Sequence, residues 1–355
     1  MKNQQILFST VHPAPYMDRM LEYIKSEYEI TVIYNCLSDK YKQWNNYSWV
    51  HGFVFKDISF KKTIGLIRNA DLVIVGGWGS WDCIKLILLS NILFKKVAVF
   101  SDCPIHVNKR SPQFWFKKLF LFKQFDYIFC ATSSTQEIYS KFYNLEKSKL
   151  KLFPYAIHFP EINHIEAINK SRVNELLNGN MPRIFISNSF YKRKGYNILY
   201  EMLIEIQKKD LLYKYDITIA GLGEEYEEYE FKFKSLSSKI KFTGWLDYED
   251  YIDQMNNTDI FIHASLFEPF GIPPIDAMAR GKLLIVSDGV QSTTSIIKSG
   301  ENGYIYSASE PKELVTIIEN LKTESIYNIG QRAIKTANEN YSYEIYSNVL
   351  KECID

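Results

Sequence analysis

Short apolar runs bounded by Asp, Gly or Ser recur along the chain, separated by stretches whose apolar residues return at helical spacing. A first series comprises residues 5–10, Ile30–Tyr34, Asp71–Gly77, Lys96–Phe100 and Asp126–Cys130. A second comprises Arg183–Ser187, Tyr215–Gly221, Ile240–Gly244, Asp259–His263 and Leu283–Ser287. Runs that are apolar at consecutive positions predict parallel strands covered on both faces. Strand alternating with helix predicts an α/β fold of two doubly wound domains, with ligands at the carboxyl ends of the strands. In the first half those ends are Ser9-Thr10, Gly76 to Ser80, Ser101-Asp102 and Ala131 to Ser133.

The expected boundaries are 1–160 for the first domain, 161–335 for the second and 336–355 for a closing helix. Tyr155 to about Lys170, with Pro160 and mixed polarity, reads as the linker, and Pro311 to Asp355 as two or three helices. The 355 residues suffice for two full cores. No apolar run reaches the ~18 residues of a membrane span. Lys85, Lys95 and Lys96 interrupt the longest one, and the amino terminus leads straight into a strand, unlike a signal peptide. Five cysteines without Cys-x-x-Cys spacing are expected to be reduced, as in the cytoplasm.

Net charge, only +1 overall, is unevenly placed. Residues 1–150 hold 20 Lys and Arg against 12 Asp and Glu, whereas residues 151–355 hold 22 against 29. Between Lys61 and Lys123 there are 11 basic and three acidic residues. Nucleic acid or an anionic membrane surface would each suit such a region. The acidic second half opposes nucleic acid and leaves the membrane, at its inner face, as the expected partner.

The richest stretch is Ala264 to Gly281, which reads as strand end, turn and helix start. Glu268 precedes Pro269 and is thereby held on extended backbone. Gly271 permits a close turn, and Pro273 and Pro274 suit a first helical turn, where a missing N–H costs nothing. The amides of Gly271 and Ile272 then form a positively polarised tip that suits a phosphate. Glu268 and Asp276 bracket the tip with seven residues between them. Carboxylates beside a phosphate must face another part of the ligand, and sugar hydroxyls meet that requirement. An ordinary capped helix is the plainer alternative.

This run resembles the Glu-Pro-Phe-Gly…Glu-Ala-Met-Ala-x-Gly signature of retaining glycosyltransferases of family 4, with Asp276 in place of the second Glu. The resemblance implies a GT-B fold, two Rossmann-like domains facing each other across a cleft, with the last helix crossing back onto the first. It also implies that Glu268 contacts the transferred sugar, Asp276 the ribose, and Phe270, Gly271 and Ile272 the diphosphate. Ser189-Phe-Tyr-Lys-Arg-Lys-Gly195 matches the family's phosphate loop at Lys194-Gly195 and has Ser189 at the family's Arg, so that Arg193 or Lys192 would substitute. Read from charge alone, that loop is more simply a solvated cationic turn. Gly221-Leu-Gly223 lacks a third glycine and is followed by four glutamates within five residues, which opposes a dinucleotide reading. It resembles instead the family's turn lining the nucleotide pocket, as Phe242 to Leu246, with Trp245, resembles the segment bordering the base. Ser292 to Ser295 could hold a phosphate or cap a helix.

In the first half, Asp102 or His106 is expected to contact acceptor or donor sugar, where many relatives carry His followed by an acid; Asp102 as a turn cap before Pro104 is the alternative. Trp78 and Trp81 could stack on an acceptor sugar or belong to the core. Phe114 to Lys123 mixes aromatics with lysines, as a bilayer-docking helix or a core helix with snorkelling lysines would.

The expected activity is transfer of a hexose-type sugar, with retention, from a nucleotide diphosphate donor, a UDP-sugar ahead of a GDP-sugar, to a carbohydrate or lipid-linked hydroxyl. Surface polysaccharide or glycolipid synthesis in a bacterium is the expected setting. Neither cofactor nor metal is expected, because the sequence has no Asp-x-Asp site or clustered His and Cys. The rivals are a nucleotide-sugar epimerase or hydrolase of the same fold and a non-catalytic nucleotide-sugar-binding scaffold.

Overall fold

The computed structural model describes residues 4–36, 52–102, 107–157 and 159–355. They form two compact units, one of residues Met1–Ala156 with Tyr341–Asp355, the other of Ile157–Asn340. The first unit is built on seven strands: β1 (Gln5–Thr10), β2 (Glu29–Tyr34), β3 (Gly52–Val54), β4 (Leu72–Val75), β5 (Lys96–Ser101), β6 (Tyr127–Cys130) and β7 (Leu150–Leu152). The second is built on β8 (Arg183–Ser187), β9 (Asp216–Ala220), β10 (Lys241–Gly244), β11 (Ile260–His263), β12 (Leu283–Ser287) and β13 (Tyr304–Tyr306). Strand orders are 3-2-1-4-5-6-7 and 10-9-8-11-12-13, and the pairing is parallel throughout both sheets.

Each order reverses direction once, between β1 and β4 in the first sheet and between β8 and β11 in the second. Loops leave opposite faces of the sheet there and open a crevice at the carboxyl ends of the strands, where doubly wound proteins seat ligands. The strands are apolar on both sides because helices cover both faces: Leu72 to Val75 and Ile260 to Ile262 are all buried. An aspartate at the start of three strands ties the opposite, amino ends together. Asp71 accepts from the Gln5 amide at 2.8 Å, Asp126 from Val97 at 2.7 Å and Asp259 from Arg183 at 2.8 Å.

The stretch read as a linker holds a helix, Ile162–Leu177. Its buried positions Ile165, Asn169, Arg172 and Leu176 recur at helical spacing, but two of them are polar, which hides the amphipathic pattern. Tertiary partners satisfy both. Asn169 Nδ2 donates to the Arg280 carbonyl at 3.0 Å, and Arg172 holds Asp259 with Nε and Nη2 at 3.2 and 2.7 Å. The closing helix Glu344–Ile354 packs within the first unit: the Tyr346 hydroxyl donates to the Pro154 carbonyl at 2.9 Å, and Lys96 Nζ caps its last carbonyls, Cys353 and Ile354, at 3.0 and 2.9 Å. Three short edge strands, β3, β7 and β13, lie outside the two series read from the apolar runs.

Candidate functional site

In the second unit the chain leaves β8 through Asn188 and β11 through Ala264 and Ser265, at the point where strand order reverses. Asn188 Nδ2 donates to Ser265 Oγ at 3.0 Å and lies 3.3 Å from His263 Nε2. Ser265 Oγ donates to Glu268 Oε2 at 3.4 Å. Glu268 is held by its backbone as well, its amide donating to the Gly289 carbonyl at 2.9 Å and its carbonyl accepting from Gln291 at 3.0 Å.

Lys194 forms an ion pair with the Glu268 carboxylate, and Arg193 Nη1 stands 3.7 Å from the same oxygen while donating to the Phe267 carbonyl at 3.1 Å. The turn Lys192–Lys194 ends in Gly195, at φ +73°, where a Cβ would lie 1.9 Å from the Ala264 carbonyl oxygen. Only glycine lets that loop press against the end of β11, and this contact seats Lys194 beside Glu268.

Glu268 is 12% exposed at its side chain. Burial by itself would raise its pKa, but the His263 imidazole, 3.8 Å away, and the Lys194 charge outweigh it and hold the carboxyl well below the usual range. His263 moves the other way: burial lowers its pKa, against the pull of Glu268, so the imidazole is neutral near neutral pH. The cluster therefore presents an ionised carboxylate with cations on one side and neutral hydrogen-bonding groups on the other.

The helix Ile272–Ala279 starts beside this cluster. Gly271, at φ +90°, forms its N-cap, and a Cβ there would meet Val290 Cγ1 at 3.0 Å and Glu268 Cγ at 3.1 Å. Because residues 273 and 274 are prolines, the amides of Gly271 and Ile272 are the donors of the tip. Ser292 Oγ donates to the carbonyl of the buried Phe270 at 2.5 Å and so fixes the turn in front of it.

Of the two carboxylates expected to bracket the tip, the structure brings Glu268 to the cation cluster and gives Asp276 different surroundings. Asp276 is 3% exposed; its Oδ2 accepts from the Tyr251 hydroxyl at 3.1 Å and its Oδ1 lies 3.5 Å from Arg280 Nη1. Ser189 follows Asn188, whose Oδ1 accepts its amide at 3.0 Å. Gly223 sits in the turn after β9, tied to the β8 loop by the Phe190 amide donating to Leu222 at 3.0 Å, and the half-buried Trp245 follows β10. Going outward from the reversal point, the ends of β8, β9 and β10 thus carry Ser189, Gly223 and Trp245 in a row. Sequence reasoning passed over Asn188, His263 and Ser265. Their one signal was position, at the ends of the two strands flanking the reversal.

In the first unit a cavity of about 320 Å³ opens at the ends of β4 and β5, walled by Gly77, Trp78, Ser101, Asp102, Lys117 and Tyr139. Trp78 stands edge-on to Phe122 with centroids 5.8 Å apart, and Lys117 Nζ lies 5.6 Å from the Trp78 ring. The Ser101 and Tyr139 hydroxyls are 2.5 Å apart. Burial pushes the Tyr155 and Tyr16 hydroxyls well up, and the Asp102 charge adds to the shift; Tyr155 also hydrogen-bonds the carboxylate. Trp78 therefore lines a cavity, while Trp81 stands in solvent on the next helix. His106 lies outside the described residues. Among the described residues no three His, Cys, Asp or Glu side chains gather as metal ligands, and no helix is long and apolar enough to cross a membrane.

Residues 167–340 match the family described as Glycosyl transferases group 1. An uncharacterized glycosyltransferase of Methanocaldococcus jannaschii is 25% identical over 232 residues, which cover 63% of this chain and 57% of that protein. The chain spans about half the length of the curated relatives it matches. Among solved structures, Anabaena HepE in complex with UDP and glucose superposes with a TM-score of 0.72 at 17% identity, covering 98% of both chains. A lipopolysaccharide outer core galactosyltransferase, WaaB, superposes with a TM-score of 0.66 at 14% identity, covering 98% of this chain and 99% of that one. The fold, two parallel α/β units, is GT-B.

Proposed function

The chain belongs, through residues 167–340, to the glycosyl transferases group 1 family, and from that premise we propose that it transfers a hexose-type sugar from a UDP-sugar to a hydroxyl acceptor with retention at the anomeric carbon. The bond between the anomeric carbon and the diphosphate breaks, its electron pair leaving with the phosphate oxygen. The acceptor oxygen bonds the same carbon and its proton passes to the departing diphosphate. The protein contributes position and charge.

The observation that carries this reading is the buried pair of Glu268 and Lys194 beside the glycine-started helix. The diphosphate takes the amides of Gly271 and Ile272 together with Lys194, and Arg193 does the work of the family's arginine where this chain has Ser189. Glu268, ionised and repelled by phosphate, accepts from sugar hydroxyls. Gly223 and Trp245 border the base, and Phe270 backs the tip. The ribose falls to Asp276, whose Oδ2 exchanges its bond from Tyr251 for one from a ribose hydroxyl. Anabaena HepE, of the same fold and solved in complex with UDP and glucose, supports a UDP donor. The cavity in the first unit, with Trp78 as a stacking face and Asp102 at its wall, receives the acceptor. WaaB, acting on a lipopolysaccharide core, supports surface glycan or glycolipid synthesis as the setting.

The test is a panel of nucleotide sugars incubated with and without carbohydrate acceptors, with release of nucleoside diphosphate as the readout. Transferase activity requires acceptor-dependent release. An isomerised donor would indicate an epimerase, acceptor-independent release a hydrolase, and binding without turnover a scaffold. Glu268→Gln should lower turnover by about 10²–10³-fold while UDP binding stays measurable by calorimetry. A wild-type rate in that variant refutes the assignment.

A further inference from the structure

Glu268 is held chiefly by cations, and on the transfer reading those cations have another duty. Lys194 and Arg193 both approach its Oε2, and both turn to the diphosphate of a bound donor. Ser265 and His263 also face Oε2, at 3.4 and 3.8 Å. Neither carries a charge that a phosphate could draw away. Among the described residues, both hydrogen bonds to this carboxylate fall on Oε2, which leaves Oε1 for a sugar hydroxyl.

The protons of this cluster can be placed by matching donors to acceptors. Asn188 is fixed end for end, because its Oδ1 accepts the Ser189 amide at 3.0 Å, and its Nδ2 therefore faces Ser265 Oγ at 3.0 Å. His263 is 2% exposed and burial keeps its imidazole neutral, so one ring nitrogen carries a hydrogen and the other does not. Nδ1 is buried with no hydrogen-bond partner among the described residues, whereas Nε2 lies 3.2 Å from Ser265 Oγ. A buried N–H without an acceptor is costlier than a bare nitrogen without a donor, and the Glu268 anion favours a hydrogen on the nearer nitrogen. The hydrogen therefore sits on Nε2 and points to Ser265 Oγ. Asn188 Nδ2, although 3.3 Å from Nε2, directs a hydrogen to the same oxygen. With both lone pairs of that oxygen taken, the hydroxyl has only its own hydrogen to offer, and Glu268 Oε2 receives it.

We propose that His263 is a positioning residue for the transfer: through Ser265 it turns the Glu268 carboxylate so that Oε2 stays with the protein and Oε1 meets the transferred sugar. The inference rests on the transfer reading of this site and adds to it a side chain that touches no ligand. A neutral relay suits the task, because it holds the carboxylate while leaving it the negative charge that strengthens its hydrogen bonds to sugar hydroxyls.

Two substitutions at one position separate positioning from the filling of space. The amide nitrogen of asparagine overlays Nδ1 of histidine, and that of glutamine overlays Nε2. His263→Asn should lower turnover of a UDP-sugar by about 10²-fold, with the Kd for UDP, read by calorimetry, unchanged. His263→Gln should turn over at least about tenfold faster than His263→Asn. Ser265→Ala should match His263→Asn, and His263→Asn/Ser265→Ala should lose no more than either alone, since the two side chains act as a unit. Equal turnover in the two variants of His263, or losses that multiply in the double variant, would overturn the proposal. A second measurement needs neither a variant nor a substrate. Nitrogen-15 spectra of histidine-labelled wild type near neutral pH should show a ring N–H protected from solvent exchange, on Nε2 of a neutral imidazole. A protected hydrogen on Nδ1, or a doubly protonated ring, overturns the positioning role alone and leaves the transfer reading standing. A wild type that releases no nucleoside diphosphate overturns the transfer reading, and with it the duty assigned to His263.

Discussion

At the amino end of the second sheet, Arg172 is clasped by Asp259, which also caps the first amide of β8, and Lys282 donates to Asn169 Oδ1 at 2.8 Å and to the Asn256 carbonyl at 2.7 Å. At the carboxyl end, Glu268 faces Lys194, Arg193, Ser265 and His263 across a turn that only glycines can make. Both clusters are buried and both hold charge, yet they differ in what surrounds the charges. At the amino end the partners are strand amides, helix carbonyls and matched ions of the chain itself. At the carboxyl end the cluster adjoins loop backbone and a helix tip. Buried charge therefore does not by itself mark a ligand site, since the geometry of its partners separates a brace from a binding site.

Three substitutions sharpen that contrast against Glu268→Gln, whose readout is turnover. The largest effect should come from Asp259→Asn, which takes from the buried Arg172 guanidinium one of the two carboxylates it pairs with, leaving Glu175. Unfolding by urea should show a loss of about 3 kcal/mol, with UDP affinity per folded molecule unchanged. A loss below about 1 kcal/mol would mean that the amino-end cluster is no brace. Next is Gly195→Ala. The added methyl meets the Ala264 carbonyl at 1.9 Å on a backbone of φ +73°, so stability should fall by about 1–3 kcal/mol and UDP affinity should fall with it, because Lys194 moves off Glu268. Stability lost with affinity intact would uncouple the turn from the site.

The smallest effect concerns pH. Burial pushes the Lys282 ammonium down to about 7, below the ordinary lysine value of about 10.4. Between those values the unfolded chain binds a proton that the folded chain lacks, so this group's contribution to stability rises with pH through that window. It is lost as pH falls toward 7. Lys282→Met should flatten that slope in urea titrations between neutral and alkaline pH, without altering UDP binding. An unchanged slope would place the ammonium in a less buried setting.

Much of the second unit was legible from local chemistry. Asp259-Ile-Phe-Ile-His263 reads as strand because no helix face explains consecutive apolar residues after a turn. Glu268-Pro269, Gly271 and Pro273-Pro274 read as a helix start because each restricts its own backbone. The helix Tyr248–Asn256 is likewise capped by a near neighbour, the Asp247 Oδ1 accepting from the Asp250 amide at 3.0 Å. Such features depend on neighbours a few residues apart.

Position along the chain determined, without help from the fold, the two series of strands, the glycine-and-proline tip, the Lys194-Gly195 turn and the concentration of lysines in the first half. Tertiary structure decided which of these meet. Asn188 finds Ser265 across 77 residues, Arg172 finds Asp259 and makes a helix of a stretch that looked like linker, and Tyr251 with Arg280 takes the carboxylate of Asp276. It also decided that Trp78 lines a cavity while Trp81 faces solvent. The reason is physical: backbone preferences act over one or two turns, whereas the burial and pairing of polar groups depend on partners that only folding brings within reach.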